Sequence, residues 1–298
     1  MLSPGVMFGT KHVDLVVKDS VFEGCYATAL QGGGLYLDEE SDGAMVVNTH
    51  FTNCSSSRSI GGGLYTVFAS GISNLLLSNL RFINCTGYRG GGAYLGEGVI
   101  GLQVLDSHFS GCSASDSGGG LYITGCDNAT IQRTTFATCS AVTGGGMYVD
   151  TACADMHILE STFESNTAKH GGGLSFYSHN SRAVVASTKF TANEAIDNGG
   201  GIYVTTGHEN LLVTDMKTFG NMQTMQSEHP YQSEAYDTVA LTRDVIYSQT
   251  MTISDATELL LVFDLQSLFR DSLSVYDNSF NRNLLYSSNG EKIAGRKV

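Results

Sequence analysis

The chain has 298 residues, with 16 Lys+Arg against 29 Asp+Glu, and so a net charge of −13. At 42% apolar and 15% charged residues it carries too much core-forming material for a disordered acidic tail. Its 36 glycines come with only 2 prolines and no Gly-x-y period, which excludes collagen. No stretch approaches the ~18 apolar residues of a membrane-spanning helix. The few Lys and Arg are unclustered, so no nucleic-acid partner is expected.

The first residues, MLSPGVMFGTKHVDLVV, lack the basic segment followed by an apolar run that marks a signal peptide. Together with the abrupt C-terminal end, this reads as a fragment of a longer protein.

From residue 11 the chain is organised by a repeat. Glycine triplets begin at Gly32, Gly61, Gly90, Gly118, Gly144, Gly171 and Gly199, at intervals of 29, 29, 28, 26, 27 and 28 residues. Each follows a phenylalanine: Phe22, Phe51, Phe82, Phe109, Phe136, Phe163 or Phe190. Three residues after each Phe comes Cys25, Cys54, Cys85, Cys112, Cys139, Asn166 or Asn193. Five residues before it stands an aliphatic residue, from Val17 to Val185. Each copy thus holds a short aliphatic run, an F-x-x-[CN] step and a G-G-G-[LAMI]-Y run. Three strands and three turns in ~27 residues predict one coil of a right-handed parallel β-helix, with coils stacked ~4.8 Å apart. A leucine-rich or helical solenoid is excluded, because no ten-residue stretch has 3.6-residue periodicity. The fold class is therefore all-β, with a β-helix over 11–222.

In such a stack, equivalent residues form ladders. Leu35, Leu64, Ala93, Leu121, Met147, Leu174 and Ile202 are apolar, as mostly are the residues two positions on, so both columns should face inward. The residues between them, Tyr36, Tyr65, Tyr94, Tyr122, Tyr148 and Tyr203, should then point outward as an exposed aromatic column, interrupted at Ser175. They are the candidate binding residues, for sugars or another surface. The competing reading is purely structural ring stacking. The cysteine column reads as packing rather than zinc ligation. Cys126 and Cys153 occupy a second equivalent position, one coil apart, and are the pair best placed for a bridge. No metal and no cofactor is expected.

The repeat F-x-x-[CN]-x-[AS]…G-G-G-L-Y resembles the β-helix repeats of large surface proteins, above all the F-x-x-N and G-G-A-I repeats of bacterial polymorphic outer-membrane proteins, and glycine-rich coils of protist proteins. The resemblance implies a surface scaffold. Cys stands in place of the usual Asn in five copies. Pectate lyases and polygalacturonases share the fold, and the latter resemble one another in N-T-D, D-D, G-H-G and R-x-K motifs. Only Gly207-His208-Glu209 and Gly295-Arg296-Lys297 approach these, at the wrong spacing, and the acidic stretch Asp38–Asp42 reads as a solvated loop. No catalytic residue is assigned. Of the sequons at Asn53, Asn84 and Asn128, Asn128 is the plausible acceptor, since the other two abut the buried cysteine column.

Leu211-Leu212-Val213 fits an eighth first strand, after which the motif fades. From about residue 223, strand-like runs at Val245–Tyr247, Met251–Ile253, Leu259–Phe263 and Leu273–Tyr276 follow. The L-L-L-V-F-D…D-S-L-S-V-Y-D pattern is similar to the first half of a CUB-type β-sandwich, so 223–298 is read as a partial CUB-like segment. The likeness points to Asp264, Asp271 and Asp277 as the positions to compare with calcium-binding CUB domains, without a full acidic set.

The expected function is a non-catalytic extracellular or cell-surface scaffold, for adhesion or for binding glycans or other surface proteins. The alternatives are a carbohydrate-active, pectin-lyase-like enzyme and an intracellular interaction fragment.

Overall fold

The computed structural model describes residues 5–9, 12–28, 32–38, 41–56, 59–66, 72–205 and 208–223, and the backbone of four short strands at 239–240, 245–247, 272–276 and 284–289. The described strands of the first unit, Met1–Thr250, form parallel ladders in which each coil hydrogen-bonds to the next. The aliphatic ladder stacks nine strands, from Val16–Lys18 to Val245–Tyr247. The phenylalanine ladder stacks eight, from Val21–Glu23 to Lys217–Phe219. The tyrosine ladder stacks nine, from Val6–Phe8 through Leu121–Ile123 to Val239–Ala240. Register is kept residue on residue: Val104 pairs with Ile131, Phe109 with Phe136, Tyr122 with Tyr148. This is the expected parallel β-helix.

One feature differs from three strands per coil. The F-x-x-[CN] step bends after the phenylalanine strand and opens a fourth, shorter corner ladder, which includes Tyr26–Ala27, Ser55–Ser56, Thr86–Arg89, Ser113–Ser117, Thr167–His170 and Glu194–Asn198. Its cause lies in the backbone. The residue two after each Phe has positive φ, as at Asn53, Asn84, Gly111 and Thr138. The same left-handed conformation recurs before each aliphatic strand (Asp14, Asn74, Asn128, Asp155) and between the aliphatic and phenylalanine strands (Asp19, Asn48, Asn79, Asp106). Asn, Asp and Gly are the residues that tolerate it best, which explains much of the composition of the turns.

The core is filled by ladders. Phe51, Phe82, Phe109, Phe136, Phe163 and Phe190 are fully buried, and neighbouring rings stack at 4.6–4.9 Å with interplanar angles of 1–11°. Both predicted inward columns of the tyrosine ladder are buried, Thr66 included; its Oγ1 accepts from the Gly96 amide at 3.0 Å. The eighth coil departs from the motif: Thr218 pairs with Phe190, and the adjacent Phe219 points outward, 74% exposed.

The cysteine column lies in this core, and its chemistry is that of the asparagines that continue it. Asn166 Nδ2 donates to the Phe136 carbonyl one coil back and to Asn193 Oδ1, both at 2.9 Å; Asn193 repeats the pattern with Phe163 and Asn221. Cys54, Cys85, Cys112 and Cys139 donate to the equivalent carbonyls of Phe22, Phe51, Phe82 and Phe109 at 3.3–3.6 Å. Thiol and amide are alternative donors to one row of carbonyls. All seven cysteines are free, Cys126 and Cys153 included; in place of a bridge, the Cys126 amide donates to Cys153 Sγ at 3.4 Å.

The second unit, Met251–Val298, contains an antiparallel pair, Ser272–Tyr276 with Leu284–Asn289. The rest of the CUB-like reading, with Asp264, Asp271 and Asp277, falls outside the described residues, as do Glu39, Glu40, Gly207 and Gly295–Lys297. No described helix is long and apolar enough to cross a membrane.

Candidate functional site

The six candidate tyrosines lie where alternation puts them, on the outer face of the tyrosine ladder. Their exposure, however, is corrected: Tyr36, Tyr65, Tyr94, Tyr122 and Tyr148 are 8%, 3%, 2%, 1% and 7% exposed. Only Tyr203 keeps a partly open ring. The five form a closed stripe, a second hydrophobic cluster separate from the core, with successive centroids at 5.1, 5.5, 4.7 and 5.2 Å.

Two features close the stripe. Each ring shields its neighbours, and the ends of the corner ladder flank it. Ile60 packs on the cluster, and Arg89 lies with its guanidinium 5.5 Å from the Tyr122 ring centroid and 5.7 Å from that of Tyr88. Arg89 is held there by Asp116, its Nε 2.6 Å from the carboxylate. On the far side, the Tyr122 hydroxyl donates to Asp150. Burial pushes the hydroxyls of Tyr94, Tyr122 and Tyr148 above the usual tyrosine range, and the Asp150 bond adds to this at Tyr122. Arg89, Asp116 and Asp150 escaped the reading of the sequence; a lone Arg immediately before a glycine triplet was the available signal.

The stripe breaks at Ser175, which pairs in register with Tyr148 on one side and Tyr203 on the other. Here the column of rings is interrupted, while Ser175 itself stays fully buried. Tyr177, 48% exposed, approaches Tyr148 at 6.1 Å, and His170 stacks on Tyr203 at 5.4 Å. Burial lowers the pKa of His170, which favours its neutral ring. Asn198 Nδ2 lies 3.1 Å from His170 Nδ1, and Lys169 pairs with Asp197 at 3.3 Å.

The other candidates have structural partners. His208 is buried, its Nε2 3.0 Å from the Tyr177 carbonyl. Asp42 accepts from the Ser73 amide and hydroxyl, which holds its carboxyl below the usual range. Asp106 and Asp155 are bidentate partners of Arg133 and Arg182 at 2.6–2.9 Å, which likewise lowers their pKa values. Asn128 is exposed at a left-handed corner. Among the described residues, no group of three or more His, Cys, Asp or Glu could hold a metal ion.

Parallel coils in strict register, with ladders of one residue type and no chain ends between them, define a β-solenoid scaffold. The family model described as the right-handed β-helix region matches residues 5–225, and the chain belongs to that family. No curated protein and no solved structure matches it.

Proposed function

We propose that the chain is a non-catalytic β-helix scaffold of a surface or extracellular protein, and that it binds glycans through the aromatic side of the tyrosine ladder. The observation that carries this reading is the interruption of the stripe at Ser175, where Tyr177 is exposed and Tyr203 and His170 are partly exposed beside polar Asn198 and Asp197. Adhesion from such a surface draws on many weak contacts through avidity.

The non-catalytic reading is supported by the partners of the ionisable groups: Asp106 and Asp155 are clamped by arginines, His208 is buried against a carbonyl, and the core thiols donate to backbone. Its likeness to outer-membrane-protein repeats is supported by the thiols, which take over the hydrogen bonds of the usual asparagines. The CUB-like reading is supported by the antiparallel pair at 272–276 and 284–289, the strand arrangement of a sandwich.

A glycan array probed with wild type and with the double variant Tyr177→Ser, Tyr203→Ser tests the proposal. Wild type should bind at least one glycan class, and the double variant should lose at least tenfold while keeping its melting temperature within a few degrees. Equal binding by both proteins, or none by wild type, overturns it.

A further inference from the structure

Resting on the glycan reading above, we propose that the break at Ser175 is a slot for a single pyranose ring. In the closed stripe each coil contributes one ring, and successive centroids lie 4.7–5.5 Å apart. Ser175 occupies the tyrosine position, paired on both sides with tyrosines, so the column lacks one ring between Tyr148 and Tyr203. The register there is kept: Leu174 and Phe176 on either side are buried in the core, as are their counterparts in the other glycine-triplet coils. Only the side chain differs.

The floor of the break is polar. Ser175 is fully buried, it points to the same side as the tyrosines, and its Oγ has no hydrogen-bond partner. A buried hydroxyl without a partner is uncommon in native structures and calls for one. Side walls come from His170, entering from the corner ladder and stacking on Tyr203, and from Tyr177, the position after the strand, approaching Tyr148. Ser175 is covered in this structure; Tyr177 is the most exposed of these rings, and the proposed slot requires it to turn outward when a sugar enters.

The chemistry of the lining selects the ligand. Stacked aromatic faces accept the C–H face of a sugar ring, and a few convergent polar groups fix its orientation. Ser175 Oγ can donate to or accept from a ring hydroxyl, and Asn198 and Asp197 stand at the rim. A cationic ligand is disfavoured because Lys169 already occupies the Asp197 carboxylate at 3.3 Å. A wholly apolar ring would leave the Ser175 hydroxyl unpaired. A neutral pyranose satisfies both the faces and the floor.

The test is saturation-transfer NMR on the full chain with the methyl pyranosides of glucose, galactose, mannose and N-acetylglucosamine. Wild type should give transfer to the ring protons of at least one. Ser175→Tyr supplies the ring that the other six glycine-triplet coils carry, so it should fold with a melting temperature at or above wild type and lose the signal. Ser175→Ala keeps the space but removes the hydroxyl, and should weaken binding several-fold; if Ser175→Tyr fails to fold, this variant decides. Signal undiminished in the folded Ser175→Tyr variant, or in Ser175→Ala when that variant decides, overturns the slot and leaves the glycan reading standing. So does absence of any signal in a wild type that still binds the array. Absence of both kinds of binding overturns slot and glycan reading together.

Discussion

At the scale of single residues, the three glycines of each triplet have three separate reasons to lack a side chain. In the Gly118–Gly120 copy, Gly118 has φ +68°, where a Cβ is penalised. A Cβ on Gly119 would stand 2.3 Å from the Gly145 carbonyl oxygen and 2.5 Å from that of Ser140, both backbone atoms of the next coil. A Cβ on Gly120 would meet the Gly146 oxygen at 2.6 Å and the Phe136 ring at 2.9 Å. Coil spacing is fixed by the hydrogen-bond ladders, so none of these neighbours can yield without separating two coils. Gly119→Ala should therefore destabilise by at least ~1–3 kcal/mol, the range for overpacking a tight interior. Gly24→Ala has positive φ but open space around it, and should cost about 1 kcal/mol or a little more, from backbone strain alone. Urea unfolding of the two variants checks the order; equal effects would contradict it. The triplets were legible in the sequence as a period. Their division of labour was not, because it depends on which atoms the neighbouring coil brings close.

Among the elements, the tyrosine ladder shows what alternation can and cannot convey. A period of two residues tells which side of a sheet Tyr122 faces, and the structure agrees. It carries no information on what lies beyond that face, and the covering groups are Arg89, at the end of a corner strand, and Ile60, in the bend before a glycine triplet. The consequence for pH is definite in sign. Burial raises the hydroxyl pKa values of Tyr94, Tyr122 and Tyr148 above the unfolded value of ~10, so the fold favours their neutral forms. That contribution to stability is complete below pH ~10 and is lost as the pH climbs toward the folded-state values. In an ultraviolet titration, Tyr94, Tyr122 and Tyr148 should ionise only as the far-ultraviolet strand signal collapses. Ionisation of these three with the fold intact would be inconsistent with a closed stripe.

For the whole molecule, the repeat made the β-helix legible because each position is sampled in every coil: Cys112 alone says little, but the column from Cys25 to Asn193 identifies one environment. The interchange of thiol and amide along it became clear only when Cys139 and Asn166 were seen to donate to successive carbonyls of one row. The seven thiols also provide a probe of the entire solenoid. Cys25 is half-buried in the first described coils and the other six are buried, with Cys112 and Cys126 raised well above the ordinary thiol range, and Cys153 to about 12, chiefly by burial. Reaction follows the thiolate and access to it. A thiol reagent added to native protein should modify Cys25 at most, and the remaining six should appear in one phase with global unfolding. Native labelling of Cys112 or Cys139 would argue for coils that open independently.

The residue-on-residue register of the aliphatic, phenylalanine and tyrosine ladders also makes the solenoid a ruler. An inserted or deleted coil, 26–29 residues in the described repeats, changes its length by one strand spacing, ~4.8 Å, and leaves each remaining side chain on its own column. A single-residue insertion within a strand has the opposite outcome, since it turns inward positions outward through the rest of that strand. The length of the stack thus changes in discrete increments. Gaining or losing whole coils is the means by which such a chain can adjust its reach without redesigning its interior.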